Sequence, residues 1–194
     1  MARPREFDVE TALDSAMQVF WSKGYETASV DDLCEATGLS RSSLYATFGD
    51  KRNLLLESLS HYVQKGDERI GNALLRKIPF RDALSDLLHD FIDAIVAGPG
   101  RRGCFIGNCA AEIARQDRTA MAHIRDALAC NEAFFRAGLI AGKKRGELPS
   151  DADVVALARV LTASIQGLRL VGKANPDRAA LEDIAMVMLR CLDR

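Results

Sequence analysis

The stretch Arg41-Ser-Ser-Leu-Tyr-Ala-Thr47 gathers side chains that suit the edges of nucleic-acid bases and the oxygens of a phosphate backbone. Arg41 carries a forked cation, Ser42, Ser43, Tyr45 and Thr47 carry hydroxyls, and Ala46 is small enough for close approach. Leu44 and Phe48 share the other face of the same helical turns. For such a row to enter a major groove it must sit on a short helix, braced by another that crosses it steeply. The preceding residues meet that need. Ser29 can cap a helix reaching Thr37, Gly38 permits a tight turn, and Ser40 can cap the next helix to Phe48. Val30, Leu33, Ala36, Leu39, Leu44 and Phe48 are expected to fill the crossing and close on Leu13, Ala16 and Phe20 of a first helix. Any one of these features also fits an ordinary three-helix core, with Gly38 and Ser40 as plain stop and cap. The ordered combination, followed by Gly49-Asp-Lys51, favours a DNA-binding helix-turn-helix.

A second place where chemistry is possible lies at Cys104, behind Arg101, Arg102 and Gly103 and at the expected start of a helix. Nearby cations and a helix N-terminus both favour the thiolate, the reactive form of cysteine. The alternative is a buried structural thiol. Phe91, Phe105, Met121, Phe134 and Phe135 could line an internal pocket, or could be core. Five cysteines (Cys34, Cys104, Cys109, Cys130, Cys191) form no disulfide framework, and no pair has CxxC spacing. His61, His89 and His123 are isolated. The chain lacks a phosphate-cradling glycine loop, HExxH and GxSxG, so no catalytic residue, metal or cofactor is expected.

The elements that must position these residues are helical. With 48% hydrophobic residues and only five prolines in 194 residues, the chain can build a large core, and alternating strand-like runs are missing. Apolar periodicity and stop signals predict an all-α chain of nine helices. These cover about Asp8–Lys23, Val30–Thr37, Arg41–Phe48 and Lys51–Leu75, then Phe80 to the Gly98–Gly103 loop, Cys104–Arg115, Arg118–Lys144, Asp151–Gly172 and Pro176–Leu192. A DNA-binding domain over 1–53 and an effector and dimerisation domain over 54–194 are expected. The last two helices are apolar on more than one face, which predicts a homodimer joined through about 151–172 and 176–192, with a thick monomeric core as the alternative. No signal peptide opens the chain and no uninterrupted apolar run approaches a membrane span, so a reducing cytoplasm is the expected setting.

Net charge argues against a basic nucleic-acid surface. The chain carries −1 overall, and residues 1–53 hold six Lys/Arg against nine Asp/Glu. Any DNA contact must rest on a few placed donors and helix ends.

Gly24-Tyr25, Thr27-Ala-Ser-Val-Asp-Asp-Leu33, Ala36-Thr-Gly-Leu-Ser40 and Ser43-Leu-Tyr-Ala-Thr-Phe-Gly-Asp-Lys51 together resemble the TetR/AcrR family of transcriptional regulators over about residues 8–54. The resemblance implies a dimer on double-stranded operator DNA, usually a repressor, released by a small molecule. It places Thr27 and Ser29 on phosphate, and Arg41, Ser42, Ser43 and Ala46 at bases. Tyr45, Thr47 and Lys51 would hold the backbone. Arg3 and Arg5 could form a minor-groove arm or remain a plain tail. Gly103-Cys-Phe-Ile-Gly-Asn108 is similar to a segment of one subgroup in which some members sense electrophiles or oxidants, which adds Cys104 and Asn108 to the effector candidates Phe91, Phe105, Phe134 and Phe135. An activator, or a helical adaptor without operator function, are the competing readings.

Overall fold

The computed structural model describes residues 7–74, 76–113 and 117–193. Among these residues there are nine α-helices and no strand. They are α1 (Val9–Lys23), α2 (Val30–Thr37), α3 (Arg41–Phe48), α4 (Lys51–Leu74), α5 (Phe80–Ala97), α6 (Phe105–Glu112), α7 (Arg118–Lys144), α8 (Val154–Ala174) and α9 (Arg178–Arg190). Arg3 and Arg5, the possible arm, lie outside the described residues.

Side-chain caps set most helix starts. The Asp8 carboxylate accepts the Glu10 N–H, and Ser40 Oγ accepts that of Ser43. Asp50 receives the Asn53 N–H ahead of α4. Ser29 and Asp32 form a reciprocal capping box on α2, each side chain accepting the other's backbone N–H. Gly38 then ends α2 in the left-handed conformation, φ 69°, which reverses the chain within two residues of the Ser40 cap.

The chain forms two compact units, one comprising residues up to Gln64 with Asn108–Ile124, the other Lys65–Gly107 with Arg125–Arg194. In the first, Ala16, Phe20, Ala28, Leu33, Leu44, Phe48, Leu54 and Leu55 are buried. Ala36, expected in the helix crossing, is exposed, because the small α2 presents only Leu33 as fully buried. Val9 is exposed as well, at the first turn of α1. In the second unit a single core cluster joins Leu84, Leu87, Leu88, Phe91 and Ile92 of α5 to Phe135, Leu161, Leu168, Leu181 and Met188.

Three helices, α6, α8 and α9, have boundaries that differ from the sequence reading. α6 is shorter than expected, and α8 begins at Val154 because Asp153, not Asp151, caps it by accepting the Val155 and Ala156 N–H groups. α9 begins at Arg178 behind the Asp177 cap. The Gly98–Gly103 loop contains a 3-10 turn at Pro99–Arg102. α8 is long and apolar enough to cross a membrane by length and composition. Arg159, Gln166 and Arg169 interrupt its apolar run, which is why a search for uninterrupted runs passes over it.

Candidate nucleic-acid interface

Within the first unit, α3 presents Arg41, Ser42, Tyr45, Ala46 and Thr47 to solvent, with Ser43 half-buried. Buried Leu44 and Phe48 anchor the opposite face. Tyr45 is 38% exposed, with its hydroxyl available to a partner outside the chain. The hydroxyls are ordered by their own helix. Ser40 Oγ lies 2.9 Å from both Ser42 Oγ and Ser43 Oγ, and Thr47 Oγ1 donates to the Ser43 carbonyl at 2.8 Å. To meet a phosphate, the Thr47 hydroxyl must turn from the Ser43 carbonyl and donate outward. Thr27 and Ser29 are exposed beside the start of α2.

Part of the acidic charge of this region is paired locally. Asp32 pairs with Lys23 at 2.7 Å, and that bond, together with the Ser29 N–H and hydroxyl, lowers its carboxyl from 3.8 to about 2. Asp31 pairs with Arg41 at 2.8 Å. Asp14 lies 2.9 Å from His61 Nε2. Lys51 Nζ stands 4.6 Å from the Tyr25 ring centroid and 3.5 Å from the Glu26 carbonyl. The ammonium is thus held at the α1–α2 turn, next to Thr27 in the chain.

Sequence reasoning missed what braces that turn. Glu112 accepts the backbone N–H groups of Tyr25 and Glu26. Arg52 forms a bidentate pair with Asp117, whose carboxyl is lowered from 3.8 to about 2 by Arg52 first and the Ala120 N–H second. Tyr25, Glu26, Arg52, Leu55, Ile113 and Asp117 line a cavity of about 290 Å³. No local motif announces these bonds.

In the second unit the effector candidates are mostly interior. Cys104 and Phe105 are buried. Phe91 and Phe135 belong to one core cluster and Phe134 packs against it. Arg69 and Arg169 stand over the Phe91 ring at 5.0 and 5.2 Å, and Arg169 also donates to the Gly103 carbonyl at 2.9 Å. Arg101, two residues before Gly103, donates to the Ile95 and Val96 carbonyls at the end of α5. The Ile95 carbonyl also accepts the Gly98 N–H, and carbonyls in the last turn of a helix have lone pairs to spare for a guanidinium. Asn108 belongs to the first compact unit. The five cysteines form no disulfide.

Residues 12–58 match the profile described as bacterial regulatory proteins, tetR family, and residues 81–188 match the tetracyclin repressor-like C-terminal domain. The uncharacterized HTH-type transcriptional regulator YezE of Bacillus subtilis is 33% identical, with all of both chains covered. The HTH-type transcriptional repressor ComR of Escherichia coli is 30% identical over 97% of this chain and 90% of its own. Among solved structures, a cysteine mutant of the TetR family regulator CifR, complexed with 26 bp double-strand operator DNA, superposes with a TM-score of 0.87. It is 30% identical, with 97% of this chain and 98% of that chain covered. Reduced NemR of Escherichia coli shares the fold at a TM-score of 0.83 and 17% identity, covering 94% and 95%. With a helix-turn-helix built on Ser29–Phe48 and both halves of the chain matched, this protein belongs to the TetR family of DNA-binding transcriptional regulators.

Proposed function

We propose that the protein is a cytoplasmic homodimeric repressor that binds a double-stranded operator through α3 and leaves it when a small molecule or an electrophile acts on the second unit. The observation that carries this reading is the likeness, along nearly the whole chain, to a regulator solved on its operator, joined to the outward row of donors on α3. Residues 1–53 serve DNA and residues 54–194 serve the effector and the dimer.

On DNA, Arg41, Ser42, Ser43 and Ala46 meet base edges. Thr27, Ser29, Tyr45, Thr47 and Lys51 meet phosphates, Lys51 adding its charge to the free N–H groups at the start of α4. Binding depends on placed donors, so a net charge of −1 is no obstacle. The role is regulatory and not catalytic.

Release needs a state that binds effector better than the operator-bound state does. Cys104 precedes the first residue of α6, and Glu112, the last, holds the amides of the α1–α2 turn. Modification or ligand binding at Cys104, Phe91, Phe105, Phe134 and Phe135 that shifts α6 therefore bears on the turn that carries Thr27 and supports Lys51. Dimer spacing sets the distance between the two copies of α3.

Selection of bound sequences from a random duplex library tests the reading, run with and without an oxidant or electrophile. A two-fold symmetric site, lost on treatment together with a mass increment at Cys104, supports it. Failure to enrich any site removes the operator function. Release with Cys104 unmodified moves the sensor elsewhere.

A further inference from the structure

Asp31 and Asp32 are adjacent carboxylates in the first turn of α2, where both favour the helix N-terminus, but only Asp32 closes its cap. Asp32 closes the capping box with Ser29 and takes Lys23. Asp31 takes no part in that cap. Its carboxylate faces across the helix-turn-helix and accepts from Arg41 Nη2 at 2.8 Å, with the side chains 85% and 60% exposed. An exposed ion pair of this kind adds little to stability. An unneutralised acid at this position also works against binding, since α2 of a helix-turn-helix lies across the phosphate backbone. The pairing therefore calls for an explanation at the DNA surface.

We infer that Asp31 is a positioning residue for base recognition: it fixes the guanidinium of Arg41 in the orientation that reads a base edge. The inference rests on the assignment of Arg41 to a base. Arg41 is the first residue of α3, where its long side chain is otherwise unrestrained. An arginine gives up considerable rotamer freedom when it docks, and a partner that fixes it beforehand lowers that cost. One Nη2 hydrogen engages Asp31, which leaves Nε and Nη1 and the second Nη2 hydrogen for a planar, two-bond contact such as that to guanine O6 and N7. When DNA expels water the pair strengthens, because the local dielectric falls. Asp31 thus raises discrimination between sequences while lowering affinity for DNA in general.

The test compares the full-length wild type with D31N, R41A and the double variant. Each is titrated against the selected operator, a set of single base-pair substitutions across the half-site, and an unrelated duplex. Thermal unfolding verifies that the variants are folded. For D31N the expected result is tighter binding to the unrelated duplex, by about twofold to fivefold from one removed charge near phosphate. Preference at the base pair that R41A identifies should fall by about twofold to fivefold, the scale of one exposed ion pair. In the R41A background D31N should leave base preference unchanged.

If R41A alters preference at one base pair while D31N alters it nowhere, Asp31 does not position Arg41, and the assignment of Arg41 survives. Equal loss of preference from D31N with and without Arg41 means that Asp31 acts on DNA itself, which also overturns the inference. If R41A changes preference nowhere, the base contact assigned to Arg41 fails, and the role of Asp31 with it.

Discussion

Glu112 accepts the backbone N–H of Glu26 through Oε1 at 2.8 Å, and its other oxygen accepts that of Tyr25 at 3.0 Å. One carboxylate at the end of α6 thereby satisfies two consecutive amides in the turn between α1 and α2. Gly24 makes the approach possible: a Cβ there would stand 3.0 Å from Glu112 Oε2, and its φ of +83° is one that side-chain-bearing residues seldom adopt. Removing the carboxylate should loosen the turn that carries Thr27. E112A is expected to cost about 1–2 kcal/mol of stability, as a charged acceptor of two amides is lost. Operator affinity should fall several-fold as well. Thermal unfolding and anisotropy titration measure both, and unchanged values in the two assays would show that water replaces Glu112 without loss.

The first unit should also weaken in acid. Asp32, held by Lys23 and Ser29, and Asp117, held by Arg52 and the Ala120 N–H, each sit at about 2 against an ordinary 3.8. The unfolded chain binds protons at these sites before the folded chain does. Their stabilisation is therefore fully present above about pH 4 and is lost as pH falls towards 2. D32N and D117N should be less stable than wild type at neutral pH and should show a shallower decline between pH 4 and pH 2. Melting curves across that range decide it, and parallel slopes for all three proteins would remove both carboxylates from the account.

The helix-turn-helix was legible because its signals are local. Ser29, Gly38, Ser40 and Gly49 bound α2 and α3 at the residues expected, and each acts within four positions of itself. The later helices were read less sharply where two acids compete to cap. Asp151 and Asp153 are equally plausible in sequence, and the structure has Asp153 accepting the Val155 and Ala156 N–H groups, with Val154 and Leu157 packed against the core. The Glu112 clamp and the Arg52–Asp117 pair join residues 65 to 87 positions apart. No periodicity records a hydrogen bond of that span. The Arg101 contacts are illegible for a related reason, since their acceptors are carbonyls, which every residue has.

Tyr45 offers the most direct test of how α3 meets DNA. Its hydroxyl lies on an exposed side chain two turns or less from buried Leu44 and Phe48, which fix the helix beneath it. Y45F preserves the ring and removes one donor. Operator binding should weaken by about 1–2 kcal/mol through one lost phosphate bond, while thermal stability stays the same. Because the contact is to backbone, the loss should be similar on operator and unrelated DNA. Unchanged affinity in a gel-shift titration would take Tyr45 off the list of contacts.

The apolar residues that remain exposed on α8 and α9 indicate where two subunits meet. Leu170 is 67% exposed, Val187 56%, Val160 47%, Met186 43% and Val171 41%. Single apolar residues on a surface are ordinary, but five on two helices are the kind of exposure that a subunit interface covers. The same feature accounts for the membrane-like composition of α8: its outward face meets protein instead of lipid. An isologous interface uses each residue twice, so one substitution acts at two places. V187E and L170E should each convert the dimer to a folded monomer, because both side chains are already tolerated in water within a single subunit. Light scattering should give the mass of one chain, and thermal unfolding of the variant should remain cooperative. Operator affinity should fall far more than the loss of one contact could explain. The two copies of α3 must reach half-sites about one helical turn apart, and a monomer reaches only one. A V187E or L170E protein that stays dimeric would place the subunit contact on another face.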